Sequence, residues 1–269
     1  EEMFFLHYGK DGCNRHVLID ECRELFGEIY EQIPELPFCN IWTAMQLSSR
    51  LPKGALFHMG VSNTRRCWNM FQLPESVESA CNVGCCGIDG CVSTLVGASL
   101  VNPDRLCYVV VGDLTFFYDL NSLGNHHIGT NLRVMLVNNG RGTEFRLGIH
   151  HCNVFGDDAD KYMAAAGHFG NKSPLLVKHY AEDLGFHYLS ATTKEEFMTA
   201  LSNFTNPQLS DHSMILEVFT DSKDESEALY LMSHIQSDAK GMVRSKLKDA
   251  VRNVAGEKGI NAIKKILKK

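Results

Sequence analysis

Three predominantly apolar runs organise the chain: 106–111 (LCYVVV), 132–137 (LRVMLV) and 214–219 (MILEVF), the last two each carrying a single charged residue. None alternates with polar residues, and the first two end at glycine- or asparagine-rich turns, the pattern of parallel strands buried on both faces. Shorter runs at 55–59 and 187–190 read as further strands. Between the strands, apolar positions change to helical spacing at 17–32, 90–100 and 173–184. A further helix at 197–204 follows Thr193-Lys194-Glu195-Glu196, which has the form of a capping box. Residues 116–129 are long enough for a crossover helix. Strands alternating with helices predict an α/β fold: a doubly wound, mostly parallel sheet with helices on both faces. No internal repeat or low-complexity stretch interrupts it.

The turns behind two of these strands carry the candidate chemistry. One reads Gly112-Asp113-Leu114-Thr115, the other Asn138-Asn139-Gly140-Arg141-Gly142. A right-handed crossover brings both strand ends to one sheet edge, so Asp113 and Asn139 converge from separate loops. A carboxylate, an amide carbonyl and the backbone carbonyl of Arg141 form a hard oxygen set suited to Mg²⁺, with phosphate and water completing it. Gly112 allows a diphosphate close to the backbone, and Thr115 offers a hydroxyl and an amide at a helix start. Gly140 and Gly142 permit the turn that aims the Arg141 carbonyl. The plainer alternative makes Asp113 an N-cap and the asparagines a simple turn. Finding both turns on consecutive strands favours the metal site.

Together with Gly84-Cys85-Cys86-Gly87-Ile88-Asp89-Gly90, these motifs occur in the order found in thiamine diphosphate (ThDP) enzymes. Over roughly residues 15–235 the chain resembles the C-terminal, diphosphate-binding domain of the 2-succinyl-5-enolpyruvyl-6-hydroxy-3-cyclohexene-1-carboxylate synthases of menaquinone biosynthesis. Those enzymes are transferases that decarboxylate 2-oxoglutarate on ThDP and add the product to isochorismate. The resemblance implies Asp113, Asn139 and the Arg141 carbonyl as metal ligands, and Gly112, Leu114 and Thr115 as diphosphate contacts. It implies Ile88 as the apolar wedge that bends ThDP. Ser62 and Arg66 match substrate-carboxylate contacts, with Ser62 also bordering the cofactor, and Phe145 matches an apolar residue of the active site.

Three positions depart from the family pattern. Val83 replaces an arginine, Glu144 an isoleucine and Arg141 a glycine. The cofactor residues survive, but the substrate side changes, because valine cannot replace a bidentate carboxylate clamp. A related decarboxylase of another 2-oxo acid, such as one in surface-sugar biosynthesis, is therefore the alternative. A non-catalytic binding module with the same fold is a third reading. The family's activating glutamate lies on a separate pyrimidine-binding domain, for which this chain has no counterpart. The resemblance thus implies no catalytic residue here and a partner domain on the same or another polypeptide. It also implies a homo-oligomer when complete, and an excised or naturally separate portion that is inactive alone. With 269 residues starting Glu1-Glu2-Met3, one core and a tail are expected: residues 1–237 as the ThDP-binding domain and 238–269 as a basic helical tail.

Composition modifies this picture little. An apolar share of 44% and a charged share of 22% are ordinary for a globular domain. No apolar run reaches the roughly 18 residues of a membrane span, and no signal peptide is evident, so a cytoplasmic protein is expected. The 10 cysteines are irregularly spaced, which fits reduced thiols. Cys81, Cys85, Cys86 and Cys91 cluster around the glycine turn, where small packed thiols are favoured over a metal site. His126-His127 are expected on the crossover helix, pointing apart, and His150 or His151 is a candidate proton relay. The 238–269 tail carries +7 within a total of −6, leaving −13 on the rest. Such a basic amphipathic segment suits packing on an acidic surface better than nucleic acid or a membrane.

Overall fold

In the computed structural model, which describes residues 13–84, 86–147, 150–163, 168–170 and 172–235, the apolar runs pair with one another. The strands are β1 (Leu56–Met59), β2 (Glu78–Cys81), β3 (Cys107–Gly112), β4 (Leu132–Asn138), β5 (His187–Ala191) and β6 (Met214–Phe219). All five pairings are parallel, in the order β2-β1-β3-β4-β6-β5. The helices are α1 (Cys13–Glu31), α2 (Asn40–Ser48), α3 (Asn63–Trp68), α4 (Cys91–Val101), α5 (Asp113–Tyr118), α6 (Ala159–Tyr162), α7 (Leu176–Asp183), α8 (Lys194–Phe204) and α9 (Ser222–Ser233).

The continuous apolar strands are explained by two separate cores. In β3, Cys107, Val109 and Val111 pack with Val92 and Leu95 of α4, Phe116 of α5 and Val177 of α7. Tyr108 and Val110 point to the opposite face, against Ile41 of α2, Trp68 of α3 and Phe197, Leu201 and Phe204 of α8. Side chains alternate across a strand, so covering both faces requires apolar residues at every position.

From β1 the chain first moves outward to β2, then returns past β1 to start β3. This reversal opens a crevice between the carboxyl ends of β1 and β3, the usual ligand position in doubly wound sheets. Gly60 makes the approach of these two ends possible. Its N–H donates to the Val110 carbonyl at 2.7 Å. A Cβ on Gly60 would lie 3.1 Å from that oxygen and 3.3 Å from Val111 Cα.

Two details differ from the sequence expectation. The crossover between β3 and β4 is not one helix over 116–129 but α5 followed by a 3₁₀ turn, Leu120–Gly124. Asp119 ends α5 and turns its carboxylate to accept the Ser93 N–H at 2.7 Å, capping α4 instead of extending α5. His126 and His127 consequently sit in an irregular turn, and their rings lie 3.9 Å apart instead of diverging. The expected capping box does precede α8: Thr193 Oγ1 accepts the Glu196 N–H at 3.2 Å. Its return bond goes one residue further back, with Glu196 Oε2 accepting the Thr192 N–H at 2.7 Å. The basic tail and Cys85 lie outside the described residues.

Candidate functional site

Loops from β1, β3 and β4 enclose a cleft of about 120 Å³ at the carboxyl edge of the sheet. Ser62, Ile88, Gly112, Asp113, Leu114, Thr115, Asn139, Arg141 and Phe145 all line it. Nine of the ten residues singled out from sequence therefore meet at one place. Arg66 does not line the cleft, for a reason given below.

Asp113 ties two of these loops together and is 3% exposed. Its Oδ1 accepts the Leu114 N–H at 2.8 Å, while Oδ2 accepts the N–H groups of Asn139 at 3.1 Å and Gly140 at 2.7 Å. The N-cap of α5 is Gly112, and no side chain caps this helix, so the N-cap reading of Asp113 is incorrect. With only 6 residues, α5 adds little dipole of its own to the cleft. His168 Nδ1 accepts the Gly170 N–H at 2.9 Å, and Nε2 lies 3.0 Å from Asp113 Oδ2 without the alignment of a hydrogen bond. Sequence reading missed His168, which is separated from Asp113 along the chain and belongs to no motif.

The two asparagines behave differently. Asn138 points into the sheet and donates to Glu217 Oε1 at 2.7 Å, while Glu217 Oε2 accepts the Tyr188 hydroxyl at 2.7 Å. Burial raises the Glu217 pKa, and the two hydrogen bonds partly oppose that rise. Asn139 lines the cleft, and among the described residues its Oδ1 is engaged only by a long 3.4 Å contact from the Arg141 N–H. Gly140 has a φ of 78°, a left-handed conformation that favours glycine. Gly142 has a φ of −71°, so its expected conformational role is corrected: any residue adopts that angle.

Ser62, in the loop after β1 and at the N-cap of α3, has φ 60° and ψ −125°, a costly conformation for a residue with a Cβ. One helical turn later, Arg66 is held by Glu144. Nη1 lies 2.7 Å from Oε2 and Nη2 lies 3.1 Å from Oε1. This bidentate bond raises the guanidinium pKa further and draws Arg66 toward the β4 loop. Phe145, next to Glu144, meets His150 edge-on with centroids 5.3 Å apart. Neither His150 nor His151 lines the cleft.

Behind the cleft, Glu225 of α9 is 1% exposed. Its Oε1 accepts the Asn40 N–H at 3.0 Å and the Thr220 hydroxyl at 2.7 Å, while Oε2 has no partner among the described residues. Burial lifts its pKa to about 7. Nothing in the polar stretch that begins α9 identifies Glu225 as a buried acid. Around the glycine turn, Cys81 and Cys91 are free thiols, partly and fully buried, and Cys86 is exposed. Among the described residues, no three His, Cys, Asp or Glu side chains gather as a metal site, and no helix is long and apolar enough to cross a membrane.

No family model matches the chain. Among curated proteins it is similar to the 2-succinyl-5-enolpyruvyl-6-hydroxy-3-cyclohexene-1-carboxylate synthase of Bacteroides fragilis, at 34% identity over 196 residues, covering 73% of this chain and 34% of that protein. The Phocaeicola vulgatus synthase is 34% identical over 200 residues, with 73% and 34% covered. The Christiangramia forsetii synthase is 33% identical over 199 residues, with 74% and 33% covered. The chain spans about a third of the length of these relatives. Across nearly three quarters of its own length it is thus homologous to part of the 2-succinyl-5-enolpyruvyl-6-hydroxy-3-cyclohexene-1-carboxylate synthases.

Proposed function

We propose that this chain is the diphosphate- and metal-binding part of a ThDP-dependent transferase that decarboxylates a 2-oxo acid and passes the product to an acceptor, as in menaquinone biosynthesis. The observation that carries this reading is the meeting of the Asp113 and Asn139–Arg141 loops in one cleft, on a chain homologous to those synthases.

Three features of the cleft suit the cofactor. Gly112 has a φ of −76°, and a Cβ there would meet only Thr64 Oγ1, at 3.9 Å. Neither backbone nor packing requires glycine, and its bare Cα leaves room for a diphosphate beside β3. Thr143 Oγ1 and Asn63 Oδ1 border the cleft, buried and without a partner among the described residues. Asp113 and Asn139 supply hard oxygen atoms, which with the Arg141 carbonyl, phosphate and water match Mg²⁺.

When bound, ThDP supplies a nucleophilic carbon and an electron sink. The protein's task is to bind and orient. Asp113 would hold the metal and keep the β3 and β4 loops in register, while Thr115 would offer its hydroxyl and N–H to the diphosphate and Leu114, whose N–H Asp113 already accepts, would line its path. Ile88, partly buried against the core, gives the apolar wall that supports a bent cofactor. Ser62 and Phe145 border the substrate space, and Phe145 excludes water from it. The carboxylates lining the cleft, Asp113 and Glu144, are both bonded already. As the resemblance implies, the activating acid would come from a pyrimidine-binding domain on the same or another polypeptide, in an oligomeric enzyme. A relative acting on another 2-oxo acid is favoured by Val83 and by the Arg66–Glu144 pair; a non-catalytic module would bind no ThDP.

Calorimetric titration of ThDP with and without Mg²⁺ tests the reading. Metal-dependent binding, abolished by Asp113→Ala, is expected. If the complete polypeptide with its pyrimidine-binding domain also fails to bind ThDP, the enzyme reading is wrong.

A further inference from the structure

The bidentate pair between Arg66 and Glu144 reaches the cleft through Glu144, which lines it, while Arg66 itself does not. Arg66 lies on α3 behind the β1 loop, and Glu144 lies in the 3₁₀ turn Thr143–Arg146 behind β4. Both Nη atoms of the guanidinium are matched to both carboxylate oxygens, at 2.7 and 3.1 Å. This is the fork by which arginine grips a free carboxylate, here filled by the chain's own side chain. The arginine and glutamate side chains retain only 34% and 25% of their exposure, so solvent weakens the pair less than it would a surface contact. Val83, on the glycine turn, adds no second cation. A carboxylate entering beside Arg66 would meet the negative Glu144 and would have to displace it.

We infer that Glu144 is a specificity-determining residue: it neutralises Arg66 so that the substrate presents an uncharged carbonyl or hydroxyl there, not a carboxylate. This rests on the reading of the cleft as a substrate site, but the ion pair can be tested without the cofactor. Arg141 also lines the cleft, on the β4 turn, and provides the contrasting location for an anion.

The probe is succinate, titrated by calorimetry into the wild-type chain, Glu144→Gln and the double variant Glu144→Gln/Arg66→Gln, with thermal melting to establish that each is folded. Releasing Arg66 should tighten succinate binding about tenfold, the worth of one charge-assisted interaction, and the double variant should lose that gain. Equal affinity of wild type and Glu144→Gln would overturn the inference, since Glu144 would then be displaced freely. A gain that persists in the double variant would overturn it too, by locating the anion at Arg141 or elsewhere. ThDP titration of the wild-type chain is scored separately. An Arg66-dependent succinate gain, with ThDP affinity missing from both this chain and the complete polypeptide, would retain the ion-pair function and remove the enzyme reading.

Discussion

Asp113 accepts three backbone N–H groups, so its carboxylate is structural before any metal arrives. Asp113→Ala leaves these donors unpaired and should cost roughly 1–3 kcal/mol in urea unfolding, besides removing metal-dependent ThDP binding. Asp113→Asn, which keeps one acceptor oxygen, should recover part of the stability but not the metal dependence. Glu225 gives a pH signature. Unfolded, it titrates near 4.5; folded, near 7. Between these values the unfolded chain releases a proton that the folded chain keeps. Its contribution is therefore intact below pH 4.5 and is lost as pH rises through about 7, in total roughly 3 kcal/mol. Glu225→Gln should flatten that decline, and an unchanged slope of stability against pH would contradict the assignment. Ser62, at φ 60°, is strained where a ligand is expected. Ser62→Gly should raise stability by about 1 kcal/mol in thermal melts.

At the scale of elements, what was legible in the sequence depended on how each element is buried. β3, β4 and β6 lie between two helical layers, so their runs are apolar on both faces apart from Arg133 and Glu217, and β6 begins and ends where the pattern does. β2 was missed because it is a largely exposed edge strand, ESAC, with no apolar run. α2 was missed for the opposite reason: Asn40, Ile41, Trp42, Thr43, Ala44, Leu47 and Ser48 are all buried, so no polar face marks a helical period. α3 spans only 6 residues, and α9 starts with a charged stretch that conceals the buried Glu225. The split crossover also depends on a tertiary contact, the Asp119 cap on α4, which local propensity does not contain. Asp119→Ala should cost about 1 kcal/mol and speed hydrogen exchange at the Ser93 amide, and unchanged exchange would contradict the cap.

Across the whole molecule, the doubly wound topology converts dispersed motifs into one site. The reversal after β2 sets the Ser62 loop beside the Gly112 loop, and the parallel β3–β4 pair adds the Asn139 loop. The convergence of the motif residues was legible in the sequence because backbone geometry alone carries them to a common edge. The pairing of Arg66 with Glu144 was not legible, since it depends on where two side chains from different loops end. On the proposed reading the activating acid comes from a pyrimidine-binding domain, so the isolated chain should release no CO₂ from 2-oxo acids, and measurable release would refute that dependence. Anomalous X-ray scattering from crystals grown with ThDP and Mn²⁺ in place of Mg²⁺ would locate the metal. A manganese peak bonded to Asp113, Asn139 and the Arg141 carbonyl is expected; a peak elsewhere, with ThDP bound and this cleft empty of metal, would rule out the proposed metal site.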